Sequence, residues 1–311
     1  MKKTLQFALQ WGAVMVIIAT ALSFLGRFYW FFELFTSFKL QYTFCLLICI
    51  IGLTVIKKRL MAVICAAFLI PNLLAILPTY NALSYDNINQ GNLRVTSINL
   101  LSSNYSYFKV ETYIENTKPD ILVLEEYHER WEQGLERVLE NYPYQYTVPR
   151  FDNFGIAIFS NTKLTSKATL ELNEAEIPSL LCSFMINNEE VHLLATHPPP
   201  PMSSTKYNLR NEQLKEIENL GATLKNLIII GDLNLTPYCH HFESLLNHAH
   251  IKDTRAGFGI QPTWPVWGWP LSIPLDHCLI SNDIITINRS IGPDVGSDHY
   301  PVTVDLLIPS L

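Results

Sequence analysis

The chain has 311 residues, of which 49% are apolar and 16% charged, with a formal net charge of −6. This composition excludes intrinsic disorder, a collagen-like fibre and a disulfide-dense mini-protein, and it is too apolar for a purely soluble protein. The charge is also unevenly divided: residues 1–78 carry seven Lys/Arg and one acid, Glu33, whereas residues 79–311 carry 15 Lys/Arg and 27 Asp/Glu. Two objects of different character are joined.

The front holds three uncharged runs, Leu5–Leu25, Leu40–Ile56 and Leu60–Pro78, of 21, 17 and 19 residues. About 17–25 helical residues cross a hydrocarbon core, so each run predicts a transmembrane helix, the second only just. Between the first two lie Phe28, Tyr29, Trp30, Phe31 and Phe32, whose rings favour the membrane–water boundary and predict an interfacial loop. Lys2, Lys3, Lys57, Lys58 and Arg59 share one side, against Arg27 and Lys39 on the other. The positive-inside bias places the five in the cytoplasm and everything after Pro78 outside it, on a cytoplasmic (inner) membrane. A cleaved signal peptide at Ala19-Thr20-Ala21 is the rival reading, disfavoured by the two runs that follow. Cys45, Cys49 and Cys65 fall in the spans and Cys182, Cys239 and Cys278 outside, with no C-x-x-C, which reads as buried free thiols.

Residues 80–90 read as a polar tether between a membrane anchor (1–79) and a domain (91–311). Within the domain, apolar strands are expected at Leu93–Leu100, Ile121–Leu124, Gly155–Phe159, Leu181–Ile186, Val191–Thr196, Leu227–Ile230, Cys278–Ser281 and Val302–Leu307. Helices are expected at Phe108–Asn116, Glu129–Glu140 and Thr205–Leu220. This is an α/β pattern with mixed sheets. No glycine-rich phosphate loop follows a strand.

Polar residues interrupt the pattern at the strand ends. Asn99 ends the first strand, Glu125 and Glu126 the second, His197 the run from Val191, and Asp232 and Asn234 the run from Ile228. Asp276 opens a late strand, and Asp298 and His299 stand just before the last. Any one of these is an ordinary turn residue on its own. Six such sites, each at the mouth of a separate strand, point to a shared site.

The set Asn99, Pro119–Glu126, Thr196-His197, Gly231-Asp-Leu-Asn234, Leu275-Asp276 and Ser297-Asp-His299 resembles the endonuclease/exonuclease/phosphatase (DNase I-like) superfamily, most nearly its membrane-anchored bacterial branch. The likeness runs in family order across nearly all of 91–311. It implies a four-layer α/β sandwich, two mixed sheets face to face with helices outside. It also implies a hydrolase that uses Mg²⁺, or Mn²⁺, held by Glu126, Asn99 and Asp298; a hard cation prefers such oxygen donors. By the same likeness His299 contacts the scissile phosphate or takes a proton, with Asp276 orienting it. Asp232 aligns or deprotonates the attacking water, Asn234 holds a phosphoryl oxygen, and His197 is the candidate general acid. Glu125 stands where the family usually has Gln; strand alternation puts 125 and 126 on opposite faces, so only one faces the ion. His277 is given no catalytic role, and His192, His240, His241, His248 and His250 read as surface or core histidines.

Trp264, Trp267 and Trp269 precede Asp276 and read either as packing or as a rim that stacks on substrate or dips into lipid. Lys206 and Arg210 read as a solvated face, with contact to an anionic group as the alternative. The expected function is a metal-dependent phosphoesterase at a membrane, acting on a lipid head group or small phosphodiester. A nuclease is the alternative, but a domain at −12 without a Lys/Arg cluster lacks the footprint of tight duplex binding. An inactive anchored binding module is a further alternative. A transporter is disfavoured because the three runs carry no charge.

Overall fold

The computed structural model describes residues 2–81 and 90–310. Helices α1 (Lys2–Ser23), α2 (Trp30–Glu33), α3 (Lys39–Val55) and α4 (Arg59–Ile76) open the chain. With their adjoining turns they give three helical segments long and apolar enough to cross a membrane, Lys3–Ser23, Trp30–Val55 and Arg59–Tyr80. Ala13, Leu46, Leu53, Ala62 and Cys65 pack between them. Gly52 permits the close approach of α1 to α3, since a Cβ there would lie 2.7 Å from Leu9. Their outward faces expose Phe7, Ile48, Val55, Val63 and Leu74, the reverse of a helix bundle in water.

Of the aromatic segment read as a loop, Trp30, Phe31 and Phe32 are instead helical, and Phe28 and Tyr29 precede the helix. After α2 comes a 3₁₀ turn, Leu34–Phe38. Helical spacing brings the rings of Phe31 and Phe35 edge to face at 5.5 Å, which explains the local order. This elbow follows α1 and forms the opening part of the Trp30–Val55 segment. Most of the tether expected at 80–90 lies at 82–89, outside the described residues.

Two six-stranded mixed sheets follow. The first has the order β11-β12-β1-β2-β4-β3 and is built from β1 (Leu93–Asn99), β2 (Ile121–Glu125), β3 (Tyr144–Val148), β4 (Ile156–Ser160), β11 (Ile285–Ile291) and β12 (Val302–Leu307). The second, β5-β6-β7-β8-β10-β9, comprises β5 (Leu164–Glu171), β6 (Pro178–Ile186), β7 (Glu189–Ala195), β8 (Leu227–Asp232), β9 (Ile251–Asp253) and β10 (Asp276–Ser281). Side-chain alternation sorts each strand between two cores. In β2, Ile121 and Val123 join the core between the sheets while Leu122 and Leu124 face α5 (Tyr107–Thr117), α6 (Glu129–Gly134) and α7 (Glu136–Leu139). In β8, Ile228 and Ile230 face inward, and Leu227 and Ile229 face α8 (Ser204–Gly221) and α9 (His240–His248). Each fully buried Ile or Leu contributes about 1.5–3 kcal/mol, and apolar runs on central strands supply both faces. The result is the four-layer α/β sandwich expected from the sequence.

Candidate active site

Pairing registers bring the polar strand ends together. Asn99 sits beside Glu125 on parallel β1 and β2, and Asp232 sits opposite Asp276 on antiparallel β8 and β10. The Ser-Asp-His segment is pinned to the end of β1, because the Ser297 hydroxyl donates to the Asn99 carbonyl at 2.7 Å. Gly231, at φ +141°, lets β8 pass close to β7: a Cβ there would lie 2.2 Å from the Thr196 carbonyl and 2.9 Å from Glu125. Glu126 and Asn234 also hold left-handed backbone, φ +54° and +47°, a conformation that costs energy and concentrates at functional sites.

The side chains form a connected network. His299 Nδ1 and Asp276 Oδ2 share a hydrogen bond of 2.8 Å, and His299 Nε2 lies 3.6 Å from Asp232 Oδ2. The same Asp232 oxygen is 3.5 Å from His197 Nε2 and accepts from Asn99 Nδ2 at 3.3 Å. The other Asp232 oxygen accepts from the Asn234 backbone N–H at 2.8 Å, and the Asn234 amide donates to the Pro198 carbonyl. All of Asp232, Asp276, His197 and His299 are buried.

These contacts set the charges. Burial alone would lower the His299 imidazole, but Asp276 and Asp232 override it and push its pKa up to about 10. Burial likewise opposes the charge on His197, and Asp232 overrides it, so its pKa is raised. Asp232 responds in kind: burial would raise it, yet the two imidazoles hold it below the usual carboxylate range. The core of the site is therefore Asp232, its ionised form favoured, between a charged His299 and a His197 whose charged form it favours. His277, by contrast, is pushed down to about 3 by burial and Arg255 and bonds the Leu235 carbonyl, a neutral core residue.

The paired glutamates separate. Glu126 lines the cleft of about 580 Å³ that also holds His197, Asp232, Asn234, Trp264 and His299. Its Oε2 accepts from the Ser102 backbone N–H and hydroxyl, both at 2.7 Å. Glu125 is fully buried behind the site and accepts from Ser97 at 2.6 Å. Burial raises its pKa to about 8, against the Ser97 hydrogen bond. The folded state thus binds that proton more tightly than the unfolded chain, whose value is near 4.5. The stability this contributes is complete below the unfolded value and is lost as the pH rises through about 8. Glu125→Gln, a neutral isostere, is expected to match the wild type in thermal denaturation at about pH 5 and to exceed it at about pH 9. A variant less stable than the wild type at the alkaline pH would contradict this account.

Two donor sets present themselves for a metal. Asp232, Asp276 and His299 offer ligand atoms within 4.8 Å of one another. The Asp276–His299 hydrogen bond already engages two of these three side chains, and an imidazolium does not ligate. Glu126, Asn99 and Asp298 are the hard oxygen donors. Asp298 accepts from Trp264 Nε1 at 2.9 Å through one oxygen and keeps the other, Oδ1, buried without a hydrogen-bond partner. An orphaned buried carboxylate oxygen fits a hard cation such as Mg²⁺ or Mn²⁺, and Glu126 offers a second carboxylate from the cleft wall.

Three contributors are not evident in the strand-end pattern. Ser97 fixes Glu125. Trp264 holds Asp298 and lines the cleft. The third is the elbow: Glu33, Leu34 and Ser37 form one wall of the same cleft. Arg210, read as a solvated residue, is instead completely buried and pairs through both terminal nitrogens with Glu33. It is drawn in because Glu33 needs a counter-charge once the elbow docks. The signal for this was present in Glu33 as the sole acid before residue 79.

Comparison with known proteins agrees with this fold. No curated protein matches the sequence. Among solved structures, an endonuclease/exonuclease/phosphatase from Bacteroides vulgatus superposes with a TM-score of 0.58 at 17% identity, covering 70% of this chain and 99% of that one. The 3′ phosphatase NExo from Neisseria, bound to a product DNA hairpin, gives 0.56 at 15% identity over 68% and 98%. TDP2 from D. rerio, complexed with a single-strand DNA product, gives 0.55 at 14% over 69% and 98%. These likenesses concern the fold. The family model for the Endonuclease/Exonuclease/phosphatase family matches residues 79–299, most of the chain, and its members are metal-dependent hydrolases of phosphodiester bonds. The protein belongs to that family.

Proposed function

We propose that the protein is a membrane-anchored, divalent-metal-dependent phosphodiesterase whose substrate is a lipid head-group phosphoester at the membrane surface. The observation that carries this reading is the shared wall of the cleft: Glu33, Leu34 and Ser37, between the first two apolar helices, face the same space as His197, Asp232 and His299. A phosphoester in that space lies next to the ends of the spans. The loop from Trp264 to Ser272 is tied to the start of α3, since Gln41 donates to the Pro270 carbonyl at 2.9 Å. It leaves Trp267 and Trp269 exposed, residues suited to the interface.

In this reading residues 1–79 are the anchor, 80–90 the tether and 91–311 the catalytic domain of a multi-pass cytoplasmic-membrane protein. The domain contacts the ends of the spans opposite Lys57, Lys58 and Arg59, so the positive-inside bias puts it on the extracytoplasmic side. Glu126, Asn99 and Asp298 would hold Mg²⁺ or Mn²⁺, which supplies charge neutralisation at the phosphoryl oxygens. Asp232, kept ionised by its two imidazolium neighbours, takes the proton of the attacking water. His299, charged and oriented by Asp276, pairs with the phosphate, and the Asn234 amide donates to a phosphoryl oxygen. His197, whose charged form Asp232 favours, gives its proton to the leaving oxygen.

Nucleic acid is the second reading, favoured by the two relatives with bound DNA. The −12 charge of residues 79–311 opposes it. The deciding experiment places the full chain in nanodiscs with Mg²⁺, Mn²⁺ or a chelator and offers lipid head-group esters, a soluble phosphodiester and plasmid DNA. Chelator-sensitive release of a lipid head group, faster than cleavage of the other two, is expected. Preferred cleavage of DNA would move the assignment to a nuclease, and no turnover at all would sink it.

A further inference from the structure

A second cavity, of about 1260 Å³, lies on the other flank of the elbow. Its membrane-side wall includes Phe24, Arg27, Lys39 and Leu74, and its domain-side wall includes Tyr238, His240 and Phe242. It shares no lining residue with the catalytic cleft. Arg27 follows α1, Lys39 opens α3 and Leu74 lies in the last turn of α4, so the cavity sits at one common end of the three apolar helices.

Its charges are unbalanced. Among the described residues, four Lys/Arg line it against two acids, Glu243 and Asp253, and Asp253 is already paired with Arg255. The Lys39 side chain is buried, yet its ammonium bonds only the neutral Ser23 hydroxyl, at 2.7 Å, and lies 5.2 Å from the centre of the Phe24 ring. No carboxylate comes within ion-pair distance of Lys39 or Arg27 among the described residues. A buried ammonium without a counter-charge is costly, and an anion between Lys39 and Arg27 removes that cost.

We infer that this cavity is a binding site for the phosphate of an anionic membrane lipid, distinct from the catalytic cleft. The acyl chains would lie along the apolar surface that α1 and α4 expose, represented at the cavity by Phe24 and Leu74. The inference rests on the reading of the three helices as membrane spans. It also couples to the site: in the segment after Asp232, Asn234 and Thr236 line the cleft while Pro237, Tyr238 and Cys239 line the cavity. A lipid seated in the cavity therefore braces the loop that carries Asn234.

The test measures lipid retained by the full chain after purification from nanodiscs of phosphatidylcholine containing phosphatidylglycerol, by native mass spectrometry and lipid extraction. Phosphatidylglycerol is expected to be retained selectively. Arg27→Gln with Lys39→Met lowers its affinity by roughly tenfold or more, since each interfacial cation contributes about a factor of five. Lys57→Gln with Lys58→Gln, at the opposite ends of the spans, leaves retention unchanged. Because Lys39 is buried, Arg27→Gln alone, at an exposed residue, gives the partial effect if the double variant fails to fold. Equal retention of both lipids, or retention indifferent to Arg27 and Lys39, would overturn the proposal. Displacement by millimolar inorganic phosphate or glycerophosphate would assign a soluble phosphate instead and overturn the lipid source. His299→Ala is expected to retain the lipid normally, so this result stands or falls apart from the catalytic assignment.

Discussion

Asp232→Asn is expected to lower metal-dependent turnover by roughly 10³-fold while leaving the fold intact, and His299→Ala to do the same. The Asp232 carboxylate is the hub of the site, since one oxygen faces both imidazoles and the Asn99 amide while the other accepts from the Asn234 backbone. The Asn substitution keeps the shape and removes the charge, so the water loses its proton acceptor and His197 loses the carboxylate that favours its charged form, while His299 keeps Asp276. His299→Ala instead leaves Asp232 and Asp276, opposed across β8 and β10, as two buried carboxyl groups without the cation between them. Steady-state rates at saturating substrate and metal, with circular dichroism as the check on folding, decide the matter. Wild-type-like turnover in either variant would contradict the assigned site.

Arg210→Met is expected to destabilise the full chain by about 3–5 kcal/mol, because it leaves Glu33 buried without its counter-charge. The pair is completely enclosed, with Arg210 Nη2 2.8 Å from Glu33 Oε2, and Arg210 Nη1 also donates to the Asn234 carbonyl at 3.3 Å. Exposed ion pairs contribute about 0–1 kcal/mol; this one differs because Arg210 is wholly buried and Glu33 nearly so. The double variant Arg210→Met with Glu33→Leu is expected to recover most of the loss, since two apolar side chains leave no buried charge. Thermal denaturation in one detergent measures both. A single variant within about 1 kcal/mol of the wild type would show that the elbow does not dock as described.

Period-2 alternation and buried apolar runs were enough to locate the central strands, because β2 and β8 bury both faces and are bounded by the polar residues of the site. The edges were not legible. In β5 the residues Thr165 to Thr169 are exposed, and a strand paired on one side only needs no apolar period. Helix α9 reads His-His-Phe-Glu-Ser-Leu-Leu-Asn-His, a single short apolar stripe of Phe242, Leu245 and Leu246 among polar residues, and is buried through Phe242 and Leu245. The strand-end residues could be listed from sequence because each interrupts an apolar run. The elbow contribution was not legible, since Glu33 and Arg210 are 177 positions apart: the lone acid at Glu33 signals a need for a counter-charge but not which residue supplies it.

The central claim, a divalent ion held by Glu126, Asn99 and Asp298 beside an acid–base network of Asp232, Asp276, His197 and His299, is tested most directly by crystallising the full chain with Mn²⁺ and mapping anomalous scattering. The account predicts a peak contacted by the Glu126 carboxylate and by Asp298, with the Asp276–His299 hydrogen bond preserved. A peak ligated instead by Asp232, Asp276 and His299, or no peak in the cleft at saturating Mn²⁺, would contradict it.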